Sequence, residues 1–367
     1  MGFESGSISC RVFLLPRPLP EDAVARFAAH AAPPLETVGE EPSIGWVTGR
    51  HLLDRNITPE TAYFGGCLRL TLRQAERKVP TSLLRAECRM EELSLLTANG
   101  RDYLNSRERA EIRRVVAARL QPQMPPQLKG ISVIHNPESR FLYATASSVA
   151  QSDLLVARFV ATLKFHLIPL TPGSALLERK KVDAKSWRPA SFAPDIPDDG
   201  LEMQPGRDFL TWLWFMADVS EGHIDLPEHG DVGVLIEGPL TFVHEGRGAH
   251  ETVLRRGEPI NSAEAKTALI SGKKLKLATL TIALGDAQWR AVIDADEFSF
   301  RSLRLPETEP GLDPLSTFLD RMGALDRFRD LFYALYDLFA DQRASAPEWG
   351  RTKKRIHEWV RAREEWF

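Results

Sequence analysis

The chain has 367 residues, of which 43% are hydrophobic and 26% charged, a composition typical of globular proteins and not of disordered ones. This length allows two or three packed subdomains. Because the sequence has no run of about 18 apolar residues and its N-terminus lacks a signal-peptide pattern, we expect a soluble, unexported, cytoplasmic protein with no membrane partner.

The charge balance is slightly acidic, with 47 basic and 50 acidic side chains and a net charge of −3. Proteins that bind nucleic acids draw their affinity from lysine and arginine, so a net negative charge does not support nucleic-acid binding. The net charge does not exclude such binding either, because basic side chains can gather on one face of a protein while acidic ones occupy another.

The chain opens with a compact βα pattern. Residues 7–15 predict a strand, and residues 21–30 predict a short amphipathic helix that ends before Pro33. Further strands are predicted at residues 45–47 and at residues 63–72, where leucine alternates with polar residues.

Two consecutive helices are predicted next. The first begins after Pro80, and the second has a capping-box-like start formed by Asn105 and Glu108. The second helix ends at the proline-rich residues 121–127. We therefore predict that residues 81–127 form a projecting helical arm with a proline-rich tip.

The middle of the chain predicts more α+β structure. Residues 131–135 and 140–146 predict a hairpin, residues 148–163 a helix and residues 165–170 a strand. Residues 171–206 are rich in proline, aspartate and glycine, which predicts a linker or a long surface excursion.

An aromatic helix is predicted at residues 208–218, where Trp212, Trp214 and Phe215 indicate a core and not a base-stacking surface. Two separate strands are predicted on either side of Gly238-Pro239. This region lies within residues 171–251, which we assign to a linker and an insertion.

The C-terminal part predicts a helix starting near Asn261 and then an antiparallel three-stranded meander. Asp313 and Pro314 are typical of a helix start, and this long amphipathic helix should run to about Asp341 with a break near Gly323.

The fold class predicted is α+β, with mixed or antiparallel sheets, the helical arm and a C-terminal amphipathic helix. The tryptophan-rich last helix should span residues 351–366. In domain terms, residues 1–80 and 128–170 form a central body and residues 252–367 form a base domain.

Catalytic and cofactor signatures are missing from the sequence. Neither a phosphate-binding glycine loop nor a serine nucleophile elbow occurs, and Cys10, Cys67 and Cys88 lack the spacing of zinc ligands or of a disulfide framework. We therefore expect reduced thiols, no cofactor, no metal and no enzymatic activity.

Two groups of residues resemble metal ligands only superficially. His244-Glu245 and His250-Glu251 lack the helical spacing of a zinc motif, so they favour a solvated hairpin loop. Asp294, Asp296 and Glu297 could be imagined to hold Mg²⁺ for nuclease chemistry, but a turn between strands explains them better. Supercoiled plasmid should therefore remain unnicked when incubated with the protein and Mg²⁺ or Mn²⁺.

Basic residues recur in three segments. They follow a strand at residues 69–78, cover a helix at residues 107–119 and open another strand at residues 273–276. Each segment alone is also typical of an ordinary solvated surface.

Taken in order, several segments resemble the recombination-associated RdgC family. The similarity begins with Gly45-Trp46-Val47 and with the basic strand Arg73–Pro80, and it continues through the two helices to Leu167-Ile168-Pro169-Leu170. A later match covers the helix, Gly-Lys and strand between Ile260 and Leu277. In all, about residues 7–170 and 252–340 are covered.

The resemblance implies a ring-shaped homodimer that clamps double-stranded DNA without sequence preference. It also implies a nucleoid-associated protein that modulates homologous recombination by limiting the access of a RecA-type recombinase to DNA. The DNA-binding residues expected on this basis are Arg69, Arg73, Arg77, Lys78, Arg109, Arg113, Arg114, Arg119, Lys129, Arg255, Arg256, Lys273, Lys274 and Lys276.

This sequence departs from the family at two positions. An aromatic residue forms the family's dimer gate at the arm tip, whereas Met124 stands there in this chain and would make a softer apolar contact. A later basic pair falls at Arg256 and Gly257, so only the first position keeps its charge.

An alternative function remains open: a protein-interaction or scaffold module of a phage- or plasmid-related system, without a direct DNA role. Residues 181–250 exceed the short form of the family, and they would be one working surface in that reading. The tryptophan-rich last helix would be the other.

Overall fold

A computed structural model describes residues 2–244 and 251–362. The helices in these ranges are α1 (Ala23–Ala29), α2 (Pro59–Ala62), α3 (Thr81–Asn99), α4 (Ser106–Leu120), α5 (Val149–Leu163), α6 (Pro172–Lys180), α7 (Pro205–Val219), α8 (Ala263–Ile270), α9 (Pro314–Ala344) and α10 (Ala346–Ala362). The strands are β1 (Ile8–Leu14), β2 (Ser43–Thr48), β3 (Tyr63–Phe64), β4 (Cys67–Arg77), β5 (Pro126–His135), β6 (Phe141–Ala144), β7 (Ile168–Pro169), β8 (His223–Leu226), β9 (Gly230–His244), β10 (Glu251–Leu254), β11 (Lys273–Leu284), β12 (Ala287–Asp294) and β13 (Ser299–Arg304).

The chain divides into two compact units. The first unit comprises Met1–Arg17, Ser139–Asp153 and Leu167–Phe367, and the second comprises Pro18–Glu138 and Leu154–His166. Helices and antiparallel strand pairs occur in both, which confirms the predicted α+β class. The division differs from the predicted body, arm, insertion and base, because β1 and β6 belong with the C-terminal residues.

In the first unit the strands follow the order β10-β9-β11-β12-β13-β1-β6, with β8 beside β9 and β7 beside β1. The predicted meander is confirmed as β11, β12 and β13, and the β11–β12 hairpin closes where Leu284 lies opposite Ala287. An aromatic core packs beside this sheet: Phe298 lies 4.9 Å from Tyr336 and Phe209 lies 5.0 Å from the same ring.

The predicted aromatic helix is α7, and its side chains are core residues as expected. Trp212, Trp214 and Phe215 are all buried. Such an apolar helix is stable only inside a protein, because its burial removes large aromatic surfaces from water.

The predicted linker is wrong. Residues 171–206 include α6, in which Ala175 and Leu176 are buried, and a following segment whose Phe192 and Ala193 are buried too. Because these apolar residues are spaced irregularly among prolines and aspartates, they produce no helical or strand periodicity in the sequence.

Two predicted interruptions are also absent from the described residues. The strands expected on either side of Gly238-Pro239 are one strand, β9, because β11 pairs with residues both before and after that dipeptide. Helix α9 likewise continues through Gly323. Its predicted start is confirmed, since the Asp313 side chain accepts hydrogen bonds from the backbone N–H of Leu315 and of Ser316.

In the second unit β4 is the central strand, flanked by β2 and β5. Trp46 on β2 is buried against Phe27 of α1, with ring centroids 4.8 Å apart, and its indole N–H donates to the Thr162 hydroxyl. Because β2 pairs with β4, this core lies beside the strand that precedes α3 and α4 in the chain.

Helices α3 and α4 pack on each other around a small cluster of their own. Leu104, Ile112, Val116 and Leu120 are its buried members, and Leu84 is among the partly buried side chains of the α3 side. No residue of α3 is fully buried, although the helix has 19 residues. One long side of α3 is therefore available to solvent or to a ligand.

Candidate nucleic-acid interface

A basic groove runs between α3 and α4 in the second unit. Its volume is about 450 Å³, and we call it the arginine groove. The side chains that line it are Thr81, Leu84, Arg85, Cys88, Arg89, Glu92, Arg109 and Arg113.

Helical spacing explains why four guanidinium groups meet there. Arg85 and Arg89 are four residues apart on α3, and Arg109 and Arg113 are four residues apart on α4, so each pair lies on one side of its helix. The capping box of α4 fixes where that helix starts: Asn105 accepts from the Glu108 N–H at 2.9 Å, and Glu108 accepts from the Asn105 N–H at 2.8 Å.

Most of the groove's positive charge is not neutralised within the protein. Arg89 pairs with Glu92 at 3.1 Å. Among residues 2–244 and 251–362, in contrast, the side chains of Arg85, Arg109 and Arg113 have no hydrogen-bonded or ion-paired partner. Three exposed guanidinium groups are thus available for an external anion, for which their planar donor forks are well suited.

Only two of these arginines, Arg109 and Arg113, are among the predicted DNA-binding residues. Arg85 and Arg89 were missed because α3 looks like an ordinary mixed-charge helix until α4 is packed against it. The detectable signal was their four-residue spacing, which matches that of the α4 pair.

Other predicted cations are already paired with acidic side chains. Arg114 contacts Glu111 at 2.6 Å, and Arg119 contacts Glu87 at 2.9 Å. The remaining pairs of this kind are Lys129 with Glu76 and Lys276 with Asp296. A phosphate would have to compete with these carboxylates.

Two predicted DNA contacts are corrected by the structure. Arg73 is only 1% exposed, and it donates to the backbone carbonyls of Leu52 and Pro33. Burial, together with the charge of Arg55, lowers the pKa of Arg73. The alternating pattern of β4 shows that Arg73 faces away from the leucine side, but it cannot show that loops cover this second face.

Lys274 is the other corrected position. It is 2% exposed, and its ammonium group pairs with the buried carboxylate of Asp208 at 2.5 Å. Neither Lys274 nor Arg73 can reach a phosphate on the surface, so neither belongs to the interface.

Two more arginines of β4 serve partly structural roles. Arg77 donates to the carbonyls of Val38, at 2.9 Å, and of Met124. Arg69 is half-buried, with its guanidinium 4.8 Å from the centre of the Phe64 ring. Met124, the predicted gate residue, is itself half-buried beside the end of β4, and its role in a dimer remains a prediction.

The remaining predicted cations lie outside the groove. Lys78 in the second unit and Arg255 and Arg256 in the first are exposed, and within the described ranges none of the three has a hydrogen-bond or ion-pair partner. Lys273 donates to the Thr252 hydroxyl at 2.5 Å.

The acidic turn at residues 294–297 is held by basic side chains. Arg207 makes two hydrogen bonds to Asp296, at 2.7 and 2.8 Å, and Arg11 pairs with Glu297 at 3.0 Å. Burial alone would raise the pKa of Asp296, but the hydrogen bond and charge of Arg207 outweigh it and hold that pKa below its ordinary value. These carboxylates stabilise the turn.

In the part of the chain that the structure describes, no three histidine, cysteine, aspartate or glutamate side chains are grouped as metal ligands. Most of the His244–Glu251 motif, residues 245–250, lies outside the described residues. So do residues 363–367, which include the end of the predicted last helix.

None of the helices within residues 2–244 and 251–362 combines the length and the apolar character needed to cross a membrane.

In comparisons with known proteins, no protein-family model and no curated protein matches the chain. The resemblance to the RdgC family stays a prediction from the order of the sequence segments.

Proposed function

We propose that this chain binds double-stranded DNA without sequence preference and has no catalytic activity. The observation that supports this most directly is the arginine groove, where Arg85, Arg109 and Arg113 carry charge that no carboxylate of the described chain neutralises. Such cations gain affinity by displacing the counterions condensed on DNA, and phosphate contacts carry no sequence information.

The proposal extends to the assembly that the family resemblance implies. Two copies of the chain form a ring-shaped clamp around DNA, limit the access of a RecA-type recombinase and so modulate homologous recombination. In the cell, such a protein is associated with the nucleoid. A two-fold symmetric contact would close the ring without open-ended growth.

A salt titration tests the DNA-binding proposal. We expect the affinity for short duplexes of different sequence to be similar and to fall with salt, with a log–log slope of about −0.9 per phosphate contacted. Replacing Arg85, Arg109 and Arg113 together with alanine should flatten that slope by about 2.7 if each contacts one phosphate.

Arg26→Gln is the matched control, because Arg26 lies on α1 of the same unit, does not line the groove and is paired with Asp22 at 2.9 Å. Its slope should stay close to that of the wild-type protein. The proposal fails if the wild-type chain binds no duplex at low salt, or if one duplex sequence is strongly preferred.

A further inference from the structure

The arginine groove differs from a plain cationic surface because its floor is apolar. Leu84 and Cys88 line it between the two arginine pairs, and both side chains pack on the buried cluster of the helix pair. DNA phosphates would pair with the arginines but would leave this floor without an apolar partner. The groove therefore combines cationic and apolar side chains, and phosphate binding would use only the cationic ones.

Apolar surface continues beyond the groove along α3. Leu93 follows Arg89 by one helical turn and is 48% exposed, and Met90 is 66% exposed. Exposed apolar side chains next to a basic cleft are typical of protein-interaction surfaces, where a few anchoring residues provide most of the binding energy.

We propose that the arginine groove binds a short acidic peptide segment of a partner protein that carries a large apolar side chain. Its carboxylates pair with Arg85, Arg109 and Arg113, while its apolar side chain covers Leu84 and Cys88. The cavity volume of about 450 Å³ suits such a side chain and its neighbours, since ligand pockets commonly measure about 300–1,000 Å³.

The charges of the groove favour this occupant. Arginine forms bidentate hydrogen bonds with carboxylates. Within the described residues the three arginine side chains have no ion pair that would have to break before a peptide carboxylate could bind. A basic or neutral peptide would leave these guanidinium groups without a counter-charge. Because the same arginines serve the proposed DNA contact, peptide and DNA should exclude each other.

The test uses the full chain and a fluorescein-labelled heptapeptide of four aspartates, leucine, proline and phenylalanine, followed by fluorescence anisotropy. We expect a dissociation constant of about 1–100 μM at low salt, and a loss of about tenfold or more for the Arg109→Ala/Arg113→Ala variant. Both arginines are exposed, so this variant should fold normally, and its circular dichroism should match that of the wild type. Arg26→Gln, which changes an arginine outside the groove, should bind the peptide as the wild type does.

A second peptide with serine in place of leucine and phenylalanine tests the apolar floor. It should bind about fivefold or more weakly, because a buried apolar side chain contributes more than about 1 kcal/mol. The first peptide should also slow alkylation of Cys88, since Cys10 and Cys67 are buried and Cys88 is the accessible thiol. Equal binding of the two peptides, or no protection of Cys88, would overturn the inference.

The outcomes separate this inference from the proposed function. Binding of duplex DNA without binding of the peptide refutes the acidic-peptide site and leaves DNA binding intact. Peptide binding without DNA binding refutes the proposed function instead. If both bind, unlabelled duplex should displace the peptide, and failure to compete would show that they do not share the groove.

Discussion

Lys274 and Asp208 form an ion pair inside the first unit, where both side chains are removed from water. The Lys274 ammonium also lies 5.3 Å from the centre of the Phe192 ring. Taking two charges out of water is costly, and their mutual attraction offsets that cost only while both partners are present. The pair links α7 to β11 through its opposite charges. Removing either side chain would leave the charge of the other buried without a partner.

Asp208→Ala is therefore expected to lower the free energy of unfolding by about 3–5 kcal/mol, because it leaves the Lys274 charge buried and unpaired. Chemical denaturation followed by circular dichroism measures this change. The double variant Asp208→Leu/Lys274→Met removes both charges and should be about as stable as the wild type, or more stable by about 1–4 kcal/mol. Equal stability of the single and double variants would show that the pair is not a coupled unit.

Arg73 shows the same distinction between structural and available charge. Its hydrogen bonds go to two backbone carbonyls of covering loops, whereas the side chains of Arg85, Arg109 and Arg113 line an open groove. A count of basic residues treats both kinds alike. Binding depends only on those that a ligand can reach without unfolding a loop.

At the scale of elements, the start of α4 determines the position of half of the arginine groove. Asn105 and Glu108 exchange hydrogen bonds there, and Arg101 holds the Glu108 carboxylate. The hydrogen bond from Arg101 keeps the pKa of Glu108 below its ordinary value. The helix therefore begins at a defined residue, and Arg109 and Arg113 are placed in the second and third turns.

Replacing Asn105 with alanine should destabilise the protein by about 1 kcal/mol, because the Glu108 N–H loses its side-chain acceptor. Hydrogen exchange of the first-turn amides of α4 should quicken in the same variant. Asn105→Ser keeps an acceptor and should cost only a small part of this. If the alanine and serine variants are equally stable, the cap makes no contribution.

Several elements could be predicted from the sequence because their signals are local. The Asn105 cap of α4 and the Asp313-Pro314 start of α9 are side-chain features within one turn of helix. The start of α8 was predicted one residue early, since Ser262 and not Asn261 accepts the capping hydrogen bond. Neighbouring residues with similar capping ability cannot be told apart by pattern alone.

The remaining features depend on contacts between distant segments. Nothing near Phe192 in the sequence shows that it packs inside the first unit, and nothing near Arg73 shows that residues 33 and 52 cover it. The groove exists only because α3 and α4 pair, so Arg85 acquires its neighbours from another helix. Sequence patterns show which residues share one face of a helix or strand, but they do not show which other element packs on that face.

At the scale of the whole molecule, the clamp proposal requires two copies of the chain. We expect light scattering to give a mass of twice 41.2 kDa for the free protein, and one dimer per duplex at low salt. Protein bound to closed circular DNA should resist high-salt release better than protein on a short linear duplex, because a closed ring cannot slide off. A monomer whose DNA binding is independent of protein concentration would refute the clamp.

The distribution of tryptophan gives the two units different optical signatures. Trp46 is the one tryptophan of the second unit, and the other tryptophans of the described residues lie in the first. Since Trp46 is buried against Phe27 and hydrogen-bonded to Thr162, its emission should shift to longer wavelength when that core opens. The difference between the wild-type and Trp46→Phe emission spectra therefore isolates the second unit, so that the unfolding of each unit can be followed in the same protein without an added dye.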